Sequence, residues 1–169
     1  LIVPMFHANG WGLPHNVPMV GGKLVLPGPF MDGESLLEII KAEDCNKTCA
    51  VPTVMTILLD YLDSKNLQIP SMSEIYIGGS AVPQSMIENF ETKYDVNVNH
   101  GWGMTETVVG TFNCYLPFMD ELNFEQRMKI RSKQGRPPFG TEMKIVDDEG
   151  NSLPHDGIAF GKLMVRGPR

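Results

Sequence analysis

His100-Gly101-Trp102-Gly103-Met104-Thr105-Glu106-Thr107 packs two glycines, one indole, two hydroxyls and one carboxylate into eight residues. Glycine gives up more backbone freedom than any other residue when it is fixed inside a helix or strand. The run therefore reads as a loop in which a ligand can approach the main chain. Immediately before it, Val96-Asn97-Val98-Asn99 alternates apolar and polar side chains, as a short strand does. The loop is expected to leave the end of that strand, which is where ligands bind in open α/β sheets.

Outward from this point the same alternation recurs. Toward the N-terminus, Pro83 is expected to open a helix with Met86, Ile87 and Phe90 inward, and Glu74-Ile75-Tyr76-Ile77 reads as a strand running into Gly78-Gly79-Ser80-Ala81. Before that, Pro52 fits a first helical turn, and Val54, Leu58 and Leu62 recur on one helix face. Residues 47–51 read as a strand. Asp32 is a suitable N-cap for a helix over residues 33–43, with Leu36, Leu37, Ile39 and Ile40 on its buried side. Leu1-Ile2-Val3 and Lys23-Leu24-Val25-Leu26 read as two further strands. Between them lie a loop with Gly10 and Gly12 and a short helix over residues 13–20, interrupted at Pro18. Strands alternating with helices predict an α/β fold: a mostly parallel sheet with flanking helices and right-handed crossovers. Such a sheet would carry the loops at residues 5–11, 78–81 and 101–106 on one edge.

After Gly110 the pattern changes. Residues 111–121 look irregular, residues 123–132 suit a polar-faced helix, and Gly135-Arg136-Pro137-Pro138-Phe139-Gly140 is a break. Met143-Lys144-Ile145-Val146 and Lys162-Leu163-Met164-Val165 alternate like strands. The expected division is an α/β part over residues 1–134 and the start of a small β subdomain over residues 135–169.

The chain has 169 residues, 42% hydrophobic and 20% charged, enough for one ordinary core and unlike a disordered chain. A formal net charge of −6 and no basic cluster argue against a nucleic-acid partner. Cys45, Cys49 and Cys114 form no C-x-x-C pair and read as reduced thiols, which suggests a cytoplasmic protein. His7, His15, His100 and His155 have no metal-ligand spacing. No apolar run is long enough to span a bilayer, and no signal peptide is expected. Leu1-Ile2-Val3-Pro4 begins without a polar lead-in, and Gly167-Pro168-Arg169 follows a strand-like run, so both ends are expected to cut through structure.

The loops suggest a chemistry. Gly101 and Gly103 keep side chains away from Trp102, whose indole could stack on a planar base. The Thr105 hydroxyl can donate to a phosphate oxygen. Glu106 cannot favourably hold an anion itself, but it can hold Mg²⁺, which binds carboxylate and phosphate oxygens together. The plainer alternative is a Gly-rich turn with a core Trp and a capping Thr. Gly78-Gly79-Ser80-Ala81 could edge a flat ligand or simply make a tight strand-to-helix turn. His7 could orient a carboxylate or be a satisfied loop histidine. Trp11 could be a mobile gate or a packed anchor. The eleven methionines suit core filling or an adaptable apolar tunnel.

Gly101-Trp102-Gly103-Met104-Thr105-Glu106 resembles the Gly-Tyr-Gly-x-Thr-Glu signature of adenylate-forming enzymes, the acyl-CoA synthetase superfamily. Pro4-Met5-Phe6-His7-Ala8-Asn9-Gly10-Trp11, Val51-Pro52-Thr53, Gly78-Gly79-Ser80-Ala81 and Gln134-Gly135-Arg136-Pro137 follow in the expected order. The likeness is to medium- and long-chain fatty-acyl-CoA synthetases and related 3-methylthiopropionate ligases. It implies a two-step reaction: a carboxylate attacks the α-phosphate of Mg-ATP to give acyl-AMP and pyrophosphate, and the CoA thiol then displaces AMP.

By that resemblance Trp102, flanked by Gly101 and Gly103, would stack on adenine, with Gly78, Gly79, Ser80 and Ala81 edging the nucleotide and acyl group. Thr105 would contact phosphate, Glu106 would ligate Mg²⁺, His7 would lie beside the reacting carboxylate and Trp11 would gate the acyl tunnel. The implied partners are ATP, a fatty acid and CoA, with a homodimer left open. Trp102 stands where many relatives have Tyr, and Gln134 where Lys is common. The family's upstream phosphate loop, its downstream Asp and Arg, and its C-terminal lid with a catalytic Lys have no counterpart in these residues. The expectation is a piece of the large domain that does not make acyl-CoA alone. A non-catalytic binding module, and another adenylating enzyme such as an aryl-acid or luciferase-like one, remain alternatives.

Overall fold

The computed structural model describes residues 1–107 and 110–167; the expected cut at Pro168-Arg169 falls outside the described residues. In chain order the elements are α1 (Ala8–Trp11), α2 (Leu13–Met19), α3 (Gly33–Ala42), β1 (Lys47–Ala50), α4 (Pro52–Lys65), β2 (Glu74–Ile77), α5 (Gln84–Lys93), β3 (Asn97–Trp102), β4 (Thr111–Asn113), a 3-10 turn (Pro117–Glu121), α6 (Phe124–Arg131), β5 (Glu142–Val146) and β6 (Lys162–Arg166). The main sheet has the order β1-β2-β3-β4. Its first three strands are parallel, and β4 returns antiparallel to β3. This is the expected α/β architecture, with a separate antiparallel β5–β6 pair following it.

Local sequence explains the helices that hold the sheet. Asp32 caps α3 by accepting the Ser35 amide at 3.0 Å, which satisfies one of the unpaired donors of the first turn. Pro52 occupies the first turn of α4, and Met55, Leu58, Leu59 and Leu62 are its buried side. Burying each such side chain is worth about 1.5–3 kcal/mol, so this one face anchors the helix. Met86, Ile87 and Phe90 do the same for α5. These side chains form one core cluster with Ile75, Ile77 and Val98 of the sheet.

Register sets the two faces of the sheet. Thr48, Ile75 and Val98 form one row of partners, and Cys49, Tyr76 and Asn99 form the next. Successive side chains on a strand point to opposite faces. Ile75 and Val98 therefore enter the helix-covered core, while Cys49 and Tyr76 face the other way.

Three expectations need correction. Leu1-Ile2-Val3 and Lys23-Leu24-Val25-Leu26 do not form strands. The Leu1 amino group donates to the Val25 carbonyl oxygen, but among the described residues no ladder joins the two stretches, and an extended run without a paired neighbour is not a strand. Second, β3 does not stop before the Gly-rich motif: it continues through His100 and Gly101 to Trp102. Third, the stretch expected to be irregular contains β4, whose pairing extends β3, with Gly101 opposite Phe112 and Trp102 opposite Thr111. Phe112 and Arg136 also exchange main-chain hydrogen bonds at 3.0 and 2.9 Å, so the chain after α6 is still tied to the main sheet.

Helix α6 is docked by a residue that the polar-faced reading missed. Arg131 is fully buried. Its guanidinium donates to Glu91 Oε1 at 2.7 Å, to the Asn113 carbonyl at 3.0 Å and to the Val98 carbonyl. A buried charge is tolerated only when paired and hydrogen-bonded, and here one cation ties α6 to α5, β3 and β4. Among the described residues no helix is long and apolar enough to cross a membrane.

Candidate functional site

The loops after the parallel strands and the turn near the N-terminus line one cavity of about 1080 Å³. His7, Ala8 and Trp11 enter it from the first segment, Gly78 and Gly79 from the second, and residues 101–106 from the third. The far wall is the outer face of the sheet, with Cys49, Tyr76 and Phe112. This places nine of the expected site residues together: His7, Trp11, Gly78, Gly79, Gly101, Trp102, Gly103, Thr105 and Glu106. Ser80 and Ala81 are exposed and do not line the cavity.

The first segment reaches the site by an unusual path. Ala8, Asn9, Gly10, Trp11 and Gly12 all have positive φ, at 45°, 52°, 59°, 56° and 76°. A left-handed turn costs roughly 1–2 kcal/mol per non-glycine residue. Here it turns the half-buried Trp11 toward β2. A Cβ added to Gly78 would lie 3.3 Å from the tip of the Trp11 indole and 2.9 Å from the Gly101 carbonyl oxygen. Gly78 is thus the point where all three segments meet, and a side chain there would part them.

The third segment is held by β4. The Gly110 amide donates to the Trp102 carbonyl at 2.8 Å. A Cβ on Gly110 would fall 2.2 Å from Trp102 Cε3. One side of the indole therefore rests on bare main chain, and the half-buried ring lines the cavity. Beyond it the chain turns: the Met104 amide donates to Thr107 Oγ1 at 3.1 Å, and the Thr107 amide to the Met104 carbonyl at 2.9 Å. Thr105 and Glu106 sit exposed on this turn. Among the described residues neither side chain takes part in a hydrogen bond.

His100 lies just inside the motif and plays a different part. It is 2% exposed, and among the described residues its ring nitrogens have no hydrogen-bond partner. Burial lowers its pKa below the ordinary 6.5, an effect only partly opposed by the nearby Ser132 main chain. It is a neutral core residue on the helix-covered side of β3.

Among the described residues no three His, Cys, Asp or Glu side chains cluster to hold a metal ion. A lone exposed carboxylate on a cavity rim fits the mode in which Mg²⁺ takes one or two carboxylates and completes its shell with phosphate oxygens and water. Glu106 suits that mode.

Sequence reasoning missed the cavity's sheet wall. Tyr76 and Phe112 meet edge to face, with ring centroids 5.8 Å apart. The alternation in Glu74-Ile75-Tyr76-Ile77 already placed Glu74 and Tyr76 on one face. Phe112 carried no such signal, because β4 is only three residues long.

Residues 1–169 match the family described as AMP-binding enzyme. The chain is 46% identical to a 3-methylmercaptopropionyl-CoA ligase of Ruegeria lacuscaerulensis and 46% identical to a medium-chain-fatty-acid–CoA ligase of Ectopseudomonas oleovorans. Each alignment covers 98% of this chain and 31% of the relative, so the chain spans about a third of the length of these relatives. The o-succinylbenzoate coenzyme A synthetase of Bacillus subtilis, solved in complex with ATP and magnesium ion, superposes with a TM-score of 0.78 at 25% identity, over 99% of this chain and 32% of that one. The match of the family model over residues 1–169 shows that the chain belongs to the AMP-binding enzyme family.

Proposed function

We propose that the protein, at the length of its relatives, is an ATP-dependent acid–CoA ligase acting on a fatty acid. The carboxylate oxygen attacks the α-phosphorus of ATP, the bond to the β-phosphate breaks, and pyrophosphate leaves with its electron pair. The CoA thiol gives up its proton to solvent, its sulfur attacks the acyl carbon, the acyl C–O bond to phosphate breaks, and AMP leaves with the electron pair. The meeting of Trp11, Gly78 and Gly101 at the rim of one cavity carries the reading.

Each residue then has a physical task. Trp102, backed by Gly110, offers its free ring surface to adenine. Gly78 and Gly79 let the base and acyl group lie against main chain, with Ser80 and Ala81 at the outer margin. The Thr105 hydroxyl donates to a phosphate oxygen. His7 orients the attacking carboxylate, and Trp11 stands at the entrance to the acyl part of the cavity. Glu106 would hold Mg²⁺, which when bound neutralises charge on the phosphates. A cytoplasmic location is the companion reading, supported by Cys45, Cys49 and Cys114 all being free thiols.

The test is a panel of straight-chain carboxylic acids, short to long, assayed for CoA-dependent AMP formation with the full-length protein. The reading expects AMP and pyrophosphate in equal amounts with at least one fatty acid. Nucleotide binding with no acid-dependent AMP would point instead to a binding module, and turnover of aryl acids alone to a different adenylating enzyme.

A further inference from the structure

Building on the ligase reading, we propose that Tyr76, held down by Glu74 and Lys47 and braced by Phe112, sets the length of acid tail that the cavity accepts. Tyr76 lies two residues before Gly78 on β2, about 7 Å back from the rim. Its hydroxyl donates to Glu74 Oε2 at 2.8 Å, and Lys47 Nζ reaches the same oxygen at 3.1 Å. Glu74 precedes Tyr76 by two residues and shares its face, so this bond draws the phenol along the strand, away from the rim loops. The Phe112 ring meets it at 80°. Both rings line the cavity.

The chemistry follows from that placement. A carboxylate held near His7 and Gly79 sends its tail inward along the outer face of the sheet. The Tyr76–Phe112 pair stands on that face and lines the cavity. A tail that ends against it buries apolar surface and gains affinity. A longer tail must displace a ring whose hydroxyl is tied to an ion pair. Glu74 and Lys47 act through Tyr76 and are positioning residues. The substrate class is a short- or medium-chain aliphatic acid.

The experiment measures kcat/KM for butyrate, octanoate and palmitate with the full-length protein and with Tyr76→Ala, Tyr76→Phe and Glu74→Ala. The wild type should favour butyrate or octanoate over palmitate. Tyr76→Ala should raise the palmitate-to-butyrate ratio by about tenfold or more, mostly through KM. Tyr76→Phe, which removes a single hydroxyl, and Glu74→Ala should move the ratio the same way by a smaller factor. Equal changes for all three acids, or an unchanged ratio in Tyr76→Phe and Tyr76→Ala, would overturn the proposal while leaving the ligase reading intact. A wild type that forms no AMP in response to any of the acids would remove the ligase reading itself, and this inference with it.

Discussion

The tip of the Trp11 indole stands 3.3 Å from the position a Cβ would take on Gly78. That contact joins a left-handed turn near the N-terminus to the end of a central strand, residues separated by most of the first half of the chain. Gly78→Ala should disturb both partners, because the new methyl also falls 2.9 Å from the Gly101 carbonyl oxygen, which is main chain and cannot swing away. We expect a loss of about 1–3 kcal/mol in denaturant unfolding, typical of overpacking. In the full-length enzyme we expect a larger rise in the KM for acid than for CoA.

Trp102 should matter through its ring surface. Trp102→Phe keeps a stacking face and should change the KM for ATP by only a few fold. Trp102→Ala should raise it by the equivalent of about 1–3 kcal/mol, the usual worth of stacking one base on an aromatic side chain. Gly110→Ala tests the same ring from behind: its methyl would occupy the space of Trp102 Cε3, 2.2 Å away. It should therefore resemble Trp102→Ala.

The helices α3, α4 and α5 could be read from the sequence because caps, prolines and apolar spacing all agree, as at Asp32, Pro52 and Phe90. The strands β1 and β2 could be read because they are buried and bounded by turns. The continuation of β3 to Trp102 was hidden, because Gly101 argues locally for a loop. What overrides it is pairing with Phe112, a contact that only the folded chain supplies. Leu1-Ile2-Val3 failed for the opposite reason: its composition suits a strand, but among the described residues no ladder partner lies beside it. The rim residues were legible as a motif. The wall behind them, Tyr76 and Phe112, was not, since no local pattern pairs a residue of β2 with one of β4.

Arg131 makes a stability prediction independent of ligand. Arg131→Met leaves Glu91 without its partner, and breaking a buried pair by removing one side costs about 3–5 kcal/mol. Urea unfolding should show that loss. Replacing both sides, with Arg131→Met and Glu91→Leu together, should recover much of it, because no unpaired charge then remains buried. An additive loss in the double variant would show that the pair itself is not the source.

His100 gives the acid limb of stability a component above the carboxylate range. Its folded pKa is lowered by burial from 6.5, so the unfolded chain binds the proton more readily. Stability should be unaffected by this group above the ordinary value. It should fall as pH drops through 6.5 toward the lowered folded value, and change no further below that. His100→Phe should flatten this part of the profile in a pH series of unfolding midpoints, and leave the lower, carboxylate part in place.

The cysteines should differ sharply toward an aromatic disulfide reagent at mildly alkaline pH. Burial pushes the Cys49 thiol up to about 12, and burial also raises Cys45, while Cys114 is exposed. The thiolate is the reacting form, so Cys114 should react fast and Cys49 only on unfolding. Cys114→Ser should remove the fast phase.

The most direct measurement is a crystal structure of the full-length protein with a non-hydrolysable acyl-adenylate analogue. Adenine should lie on the Trp102 ring, the phosphate mimic beside Thr105 and Glu106, and the acyl tail past Trp11, running toward Tyr76. An analogue bound on another face, or adenine packed away from Trp102 with these loops empty, would contradict the account.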